Sequence, residues 1–193
     1  MSSPNKIVLF LNKKTAEEML PIENGAMISI TDCRDDEADI NDQWGHVYRF
    51  RFIDGSYNED SLRFVGLNYK YIYSSYFDRA QAVEMNQVIS NIVNDGINTI
   101  VVHCHAGRSR SAAVAKYISD RYGYLPYNTK DVLPPSGNQT SPNYDDLSGM
   151  NGMIYMLLND PGHFDSVIQD IESANQKPRQ ESWRHRLIRT IFG

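Results

Sequence analysis

Cysteine is almost absent from this chain of 193 residues, which carries only Cys33 and Cys104. Two thiols exclude a disulfide scaffold and a cysteine-rich zinc site; without a secretion signal both are expected to stay reduced. Excess positive charge is also lacking, because 24 acidic side chains outnumber 19 basic ones for a net charge of −5. A general nucleic-acid binder needs a broad basic face to neutralise phosphates, so no nucleic-acid partner is expected and any anion should be held locally. The apolar stretch in the N-terminal MSSPNKIVLFLNKK is too short for a secretory core and far too short for a membrane span. These absences predict a soluble, cytoplasmic protein with no membrane span. What is present, 41% hydrophobic residues, suits one domain over residues 1–193 with a full core.

Short apolar runs alternate with helical or polar stretches. Residues 7–12 (IVLFLN), 16–20 (AEEML) and 26–30 (AMISI) read as strand, helix and strand. In residues 31–42, TDCRDDEADIND, six acids accompany one arginine, a pattern read as a solvated loop. VYRFRFID, residues 47–54, alternates with period two and predicts a half-buried strand ending at Asp54. In residues 55–77 the alternation of Tyr69, Tyr71 and Tyr73 suggests a strand or packed loop. Residues 78–94 have apolar positions at helical spacing and a stop at Asp95-Gly96. INTIVVH, residues 97–103, is a β-branched run of the kind buried on both faces of a parallel sheet, and residues 111–123 read as a helix closed by Gly123. Residues 124–143 are expected to be loop, 150–158 and 164–173 helices. A basic C-terminal segment follows, in which Trp183, Leu187, Ile188 and Ile191 are spaced to share one face if it forms a helix; the helical extension is expected at about 160–193.

The chemistry concentrates in VVHCHAGRSRSAA, residues 101–113. A strand, a glycine-containing loop and a helix in that order turn successive backbone N–H groups into one concavity at a helix N-terminus, which favours anions. The amides of His105, Ala106, Gly107, Arg108 and Ser109 would line it, with Cys104 at its floor. Helix dipole, amides and Arg110 all favour a thiolate, and a thiolate in a phosphate-shaped nest is a nucleophile aimed at phosphorus. The planar fork of Arg110 can hold two phosphoryl oxygens, Ser111 can donate to the sulfur, and Gly107 permits the tight loop.

HCHAGRSRS resembles the HCxxGxxRS/T phosphate-binding loop of the protein tyrosine phosphatase superfamily, and AGRSRSA looks most like its dual-specificity branch. YFDRA at 76–80, ISITD and the strand ending in FID extend the resemblance over roughly residues 25–125. It implies a three-layer α/β fold, a central, mainly parallel twisted sheet with helices on both faces. It also implies hydrolysis of phosphotyrosine, and of phosphoserine or phosphothreonine, in a protein substrate through a phosphocysteine, with neither cofactor nor metal. His103 then matches the histidine that orients the loop and favours the thiolate.

The same resemblance calls for an aspartate after an upstream strand as general acid. Asp54 is the first choice because it follows the strand 47–53; it lies farther from Cys104 than the pattern has it, residues 55–75 reading as an insert, and Asp60 is the second choice. Asp78 reads better as a helix N-terminal charge. His105 and Arg108 stand where phosphatases of inositol lipids often carry lysines, so a polyphosphorylated lipid or small molecule is an alternative substrate. An inactive phosphate-binding module, a sulfurtransferase and an arsenate reductase are other readings; the last would want more thiols than Cys33, whose pairing with Cys104 would shield the nucleophile.

Overall fold

A computed structural model describes residues 6–133 and 141–176. Contacts group the chain into two units, one taking the residues up to Tyr57 with Ser75–His163, the other Asn58–Ser74 with the chain from Phe164 on. Among the described residues no helix is long and apolar enough to cross a membrane.

The first unit is built on five strands: β1 (Ile7–Asn12), β2 (Gly25–Thr31), β3 (Val47–Arg51), β4 (Thr99–Cys104) and β5 (Leu125–Tyr127). Their order across the sheet is β3-β2-β4-β1-β5, and every pairing is parallel. All residues of β2 and β4 are buried, the environment that a β-branched run suits. On one face Leu9, Leu11, Met27 and Val101 pack with Ala16 of α1 (Lys13–Glu17), with Met19 just after it, and with Ala38, Ile40 and Trp44. Alternation along the strands sends Val8, Phe10, Ile28, Ile30, Ile100 and Val102 to the other face, equally buried. The α/β class with a parallel central sheet is therefore as expected.

The second unit holds α2 (Glu59–Val65), a 3-10 turn and α3 (Tyr69–Ile72). Two long helices follow in the first unit, α4 (Arg79–Asn94) and α5 (Arg110–Tyr122), and then α6 (Gly152–Asn159). α5 packs on β1 and β4, and α6 touches both α5 and α4. Ala82, Met85, Ile89 and Ile92 give α4 a buried stripe at helical spacing. Each of its larger side chains contributes about 1.5–3 kcal/mol on burial. Asp78 caps α4, accepting from Gln81 N at 2.9 Å while Gln81 Oε1 accepts from Asp78 N at 3.3 Å. Asp78 is thus a helix-capping charge, as its sequence position suggests. The last helix, α7 (Asp165–Gln176), belongs to the second unit, where Arg63 pairs with Asp170 and Lys70 with Glu172. Residues 134–140 and 177–193, including the apolar face of the C-terminal extension, lie outside the described residues.

Three local expectations are corrected. Residues 69–72 are helical, not a strand: Asn58 caps α2 by accepting from Ser61 N at 2.9 Å, and the following turns place Tyr69 and Tyr73 four apart on one helical face. The region expected to be loop contains β5, a three-residue edge strand whose Pro126 is tolerated because an edge leaves one side of the ladder open. Helix α1 starts earlier than residue 16, because the Asn12 side chain accepts from Thr15 N at 2.8 Å and begins the helix directly at the end of β1.

Candidate active site

In a parallel sheet every strand ends on the same edge, and that edge is where ligands bind open α/β sheets. Here it brings together the ends of β1, β2, β3 and β4. Cys104 is the last residue of β4 and is paired in register with Asn12 of β1, while His103 is paired with Ser29 of β2. Both Cys104 and His103 are buried.

The loop after Cys104 leans on β1. Gly107 has φ +74°, and a Cβ there would stand 2.5 Å from the backbone nitrogen of Asn12 and 2.6 Å from the carbonyl carbon of Leu11. Only glycine meets both demands. The carbonyl of His105 accepts from Lys13 N at 3.3 Å, which closes the loop against the start of α1. Among the described residues the backbone N–H groups of 106–109 have no hydrogen-bond acceptor. His105, Ala106 and Arg108 are exposed, Gly107 is buried and Ser109 half-buried.

Arg110 opens α5 and is only 3% exposed. Its Nη1 donates to the carbonyl of Phe52 at 2.6 Å and forms an ion pair with Asp32. Its Nε is buried without a partner among the described residues. One end of the guanidinium is therefore anchored and another N–H is left for an acceptor that the described residues do not supply. Ser111 is fully buried, its Oγ 3.3 Å from the sulfur of Cys104.

His103 Nε2 lies 2.8 Å from Ser29 Oγ, whereas its Nδ1 lacks a hydrogen bond of good geometry, although the Cys104 backbone is near enough to favour its proton. Burial, followed by the charges of Arg49, Lys13 and Arg110, pushes the imidazole down to about 4. The ring is thus neutral at pH 7, and whatever it does for the thiol it does by position, not by charge.

Asp54 lies beyond β3 and reaches the loop: Ser109 Oγ donates to its Oδ1 at 2.7 Å and Asn151 Nδ2 donates to the same oxygen at 3.0 Å. Asp60 sits in the first turn of α2 in the second unit. The arrangement can offer a sulfur nucleophile, a clamp for an anion and an adjacent carboxylate for proton transfer.

Nothing matches this chain among family models, curated proteins or solved structures.

Sequence reasoning missed three contributors. Asp32, assigned to a solvated acidic loop, directly follows β2 and meets Arg110 across the sheet edge. Asp36 of the same run pairs with Lys13 at 2.7 Å, a bond that holds its carboxyl below the ordinary range, and it also feels His105 and Arg110. Asn151, expected inside the helix 150–158, is instead the N-cap of α6 and bonds the candidate acid. Cys33 is an exposed free thiol.

Proposed function

We propose that the protein is a cysteine-dependent phosphatase that hydrolyses phosphomonoesters, with phosphotyrosine, and by extension phosphoserine and phosphothreonine, of a cytoplasmic protein as substrate. The observation that carries the reading is that, among the described residues, Arg110 Nε and the backbone N–H groups of 106–109, in the loop directly after the buried Cys104, have no hydrogen-bond acceptor. A tetrahedral dianion satisfies such a set.

In the first step the Cys104 thiolate attacks phosphorus, an S–P bond forms, and the P–O bond to the leaving group breaks. Asp54 gives its proton to the departing oxygen, while Arg110 and the loop amides hold the equatorial oxygens as charge spreads over them. In the second step water attacks the phosphocysteine and Asp54 takes its proton. Ser111 Oγ, 3.3 Å from the sulfur, donates to the thiolate as the S–P bond breaks. His103 and Ser29 brace the strand beneath the sulfur.

The test is hydrolysis of a small aryl phosphate in the presence of a chelator, with wild type beside Cys104→Ser. Turnover by the wild type that falls by at least about 10³-fold in the variant is the expected result, as for loss of a nucleophile. Equal turnover in the two proteins, or none in a folded wild type, refutes the reading.

A further inference from the structure

Asp54 has no rigid element of its own. It follows β3, it is exposed, and it owes its place to two hydrogen bonds. One comes from Ser109, inside the anion loop; the other comes from Asn151, almost a hundred residues later in the chain. The geometry of Asn151 exceeds what a helix cap requires. Its Oδ1 accepts from Ile154 N at 3.2 Å, which is the cap of α6. Its Nδ2 donates to Asp54 Oδ1 at 3.0 Å and to the carbonyl of Gly55 at 3.1 Å. Its backbone N–H donates to the carbonyl of Ser109 at 3.2 Å. One residue thus ties together a helix terminus, the aspartate, the segment just after it and the last residue of the loop.

We propose that Asn151 is a positioning residue that fixes Asp54 relative to the anion loop and selects which carboxylate oxygen carries the proton. This rests on the phosphatase reading above. Among the described residues both hydrogen bonds to the carboxylate fall on Oδ1, so Oδ2 is the oxygen that exchanges a proton with the leaving group and then with water. Amide and hydroxyl donors on one oxygen also fix the rotation of the carboxylate, so the proton is delivered along one direction. Because the Asn151 backbone bonds Ser109 while its side chain bonds Asp54, α6 sets the spacing between donor and phosphate site as a rigid strut.

The test uses the full chain and two aryl phosphates that differ in leaving group, phenyl phosphate and 2,4-dinitrophenyl phosphate. Expulsion of phenolate needs a well-placed acid, whereas dinitrophenolate leaves almost unaided. Asn151→Ser keeps an oxygen that can cap α6 but removes the donor to Asp54 and Gly55. The expected result is a melting temperature near that of wild type and at least a roughly ten-fold rise in the ratio of kcat for dinitrophenyl to phenyl phosphate, with KM for phenyl phosphate changed little. Asp54→Asn should raise the same ratio further, and adding Asn151→Ser to it should add almost nothing, because a positioning residue acts only through the group it positions. A ratio unchanged from wild type, or full additivity in the double variant, overturns the proposal while leaving the phosphatase reading intact. A folded wild type that hydrolyses neither ester overturns both.

Discussion

Acid should destabilise this protein in a window set by one ring. His103 is fully buried between β2 and β1, and it takes a proton only near about 4, against an ordinary 6.5 in the unfolded chain. Between those values the unfolded state binds the extra proton and the folded state refuses it. The contribution of the neutral ring is therefore complete above about pH 6.5 and is lost as pH falls toward 4. The difference in proton affinity corresponds to about 3 kcal/mol in all, of which about 2 kcal/mol has gone by pH 5. Carboxylates held below their usual range by bound cations, Asp36 by Lys13 and Glu37 by Arg51, weaken the fold only at lower pH. Urea unfolding at pH 7 and pH 5 should show the wild type losing about 2 kcal/mol more than His103→Gln, whose side chain can bond Ser29 but cannot titrate. Parallel losses in the two proteins would mean that the ring is not held neutral by its surroundings, and the positional role given to it would fall.

Two further substitutions probe the loop and its clamp. Gly107→Ala combines a positive φ, costing about 1–2 kcal/mol, with a Cβ forced against the Leu11–Asn12 backbone; a depressed melting temperature and loss of phosphate binding by calorimetry are expected, and a protein that binds phosphate normally would contradict the loop geometry. Arg110→Lys keeps the charge but loses the planar fork, so the bonds to Phe52 and Asp32 and the free Nε–H cannot all be replaced; aryl phosphate turnover should fall by roughly 10²–10³-fold, and a loss under about 5-fold would remove the guanidinium from the proposed chemistry.

Features governed by near neighbours were legible in the sequence. The β-branched run of β4, the loop behind it and Gly123, which caps α5 in the left-handed region, each carry a local signal that the fold honours. The start of β3 was legible too, but the strand stops at Arg51, so Asp54 stands three residues beyond it rather than at its end. Asp32 was not, because its meaning depends on β2 lying beside β4, and nothing within residues 31–42 distinguishes an acid that meets Arg110 from one in solvent. The helices of residues 59–72 were hidden because two short helices joined by a tight turn span too few residues for a period of 3.6 to emerge over a row of tyrosines. Asn151 was hidden inside an expected helix, and its side-chain bonds exist only where the start of α6 meets the segment after β3.

The strand order also has a consequence for synthesis. β1 and β2 are consecutive in the chain yet never pair; β4 lies between them, bonded to both, with Ile7 opposite Thr99 and Gly25 opposite Thr99 from the other side. At about 5–20 residues per second, a growing chain holds the bare edge of β1 for roughly 5–20 s before its first partner is made. During that interval β1 is an apolar ribbon with open hydrogen-bonding edges, able to stick to another nascent copy. The arrival of β4 ends this exposure and sets Cys104 beside Asn12 at the same moment, so the thiol takes its place only as β1 and β2 are joined.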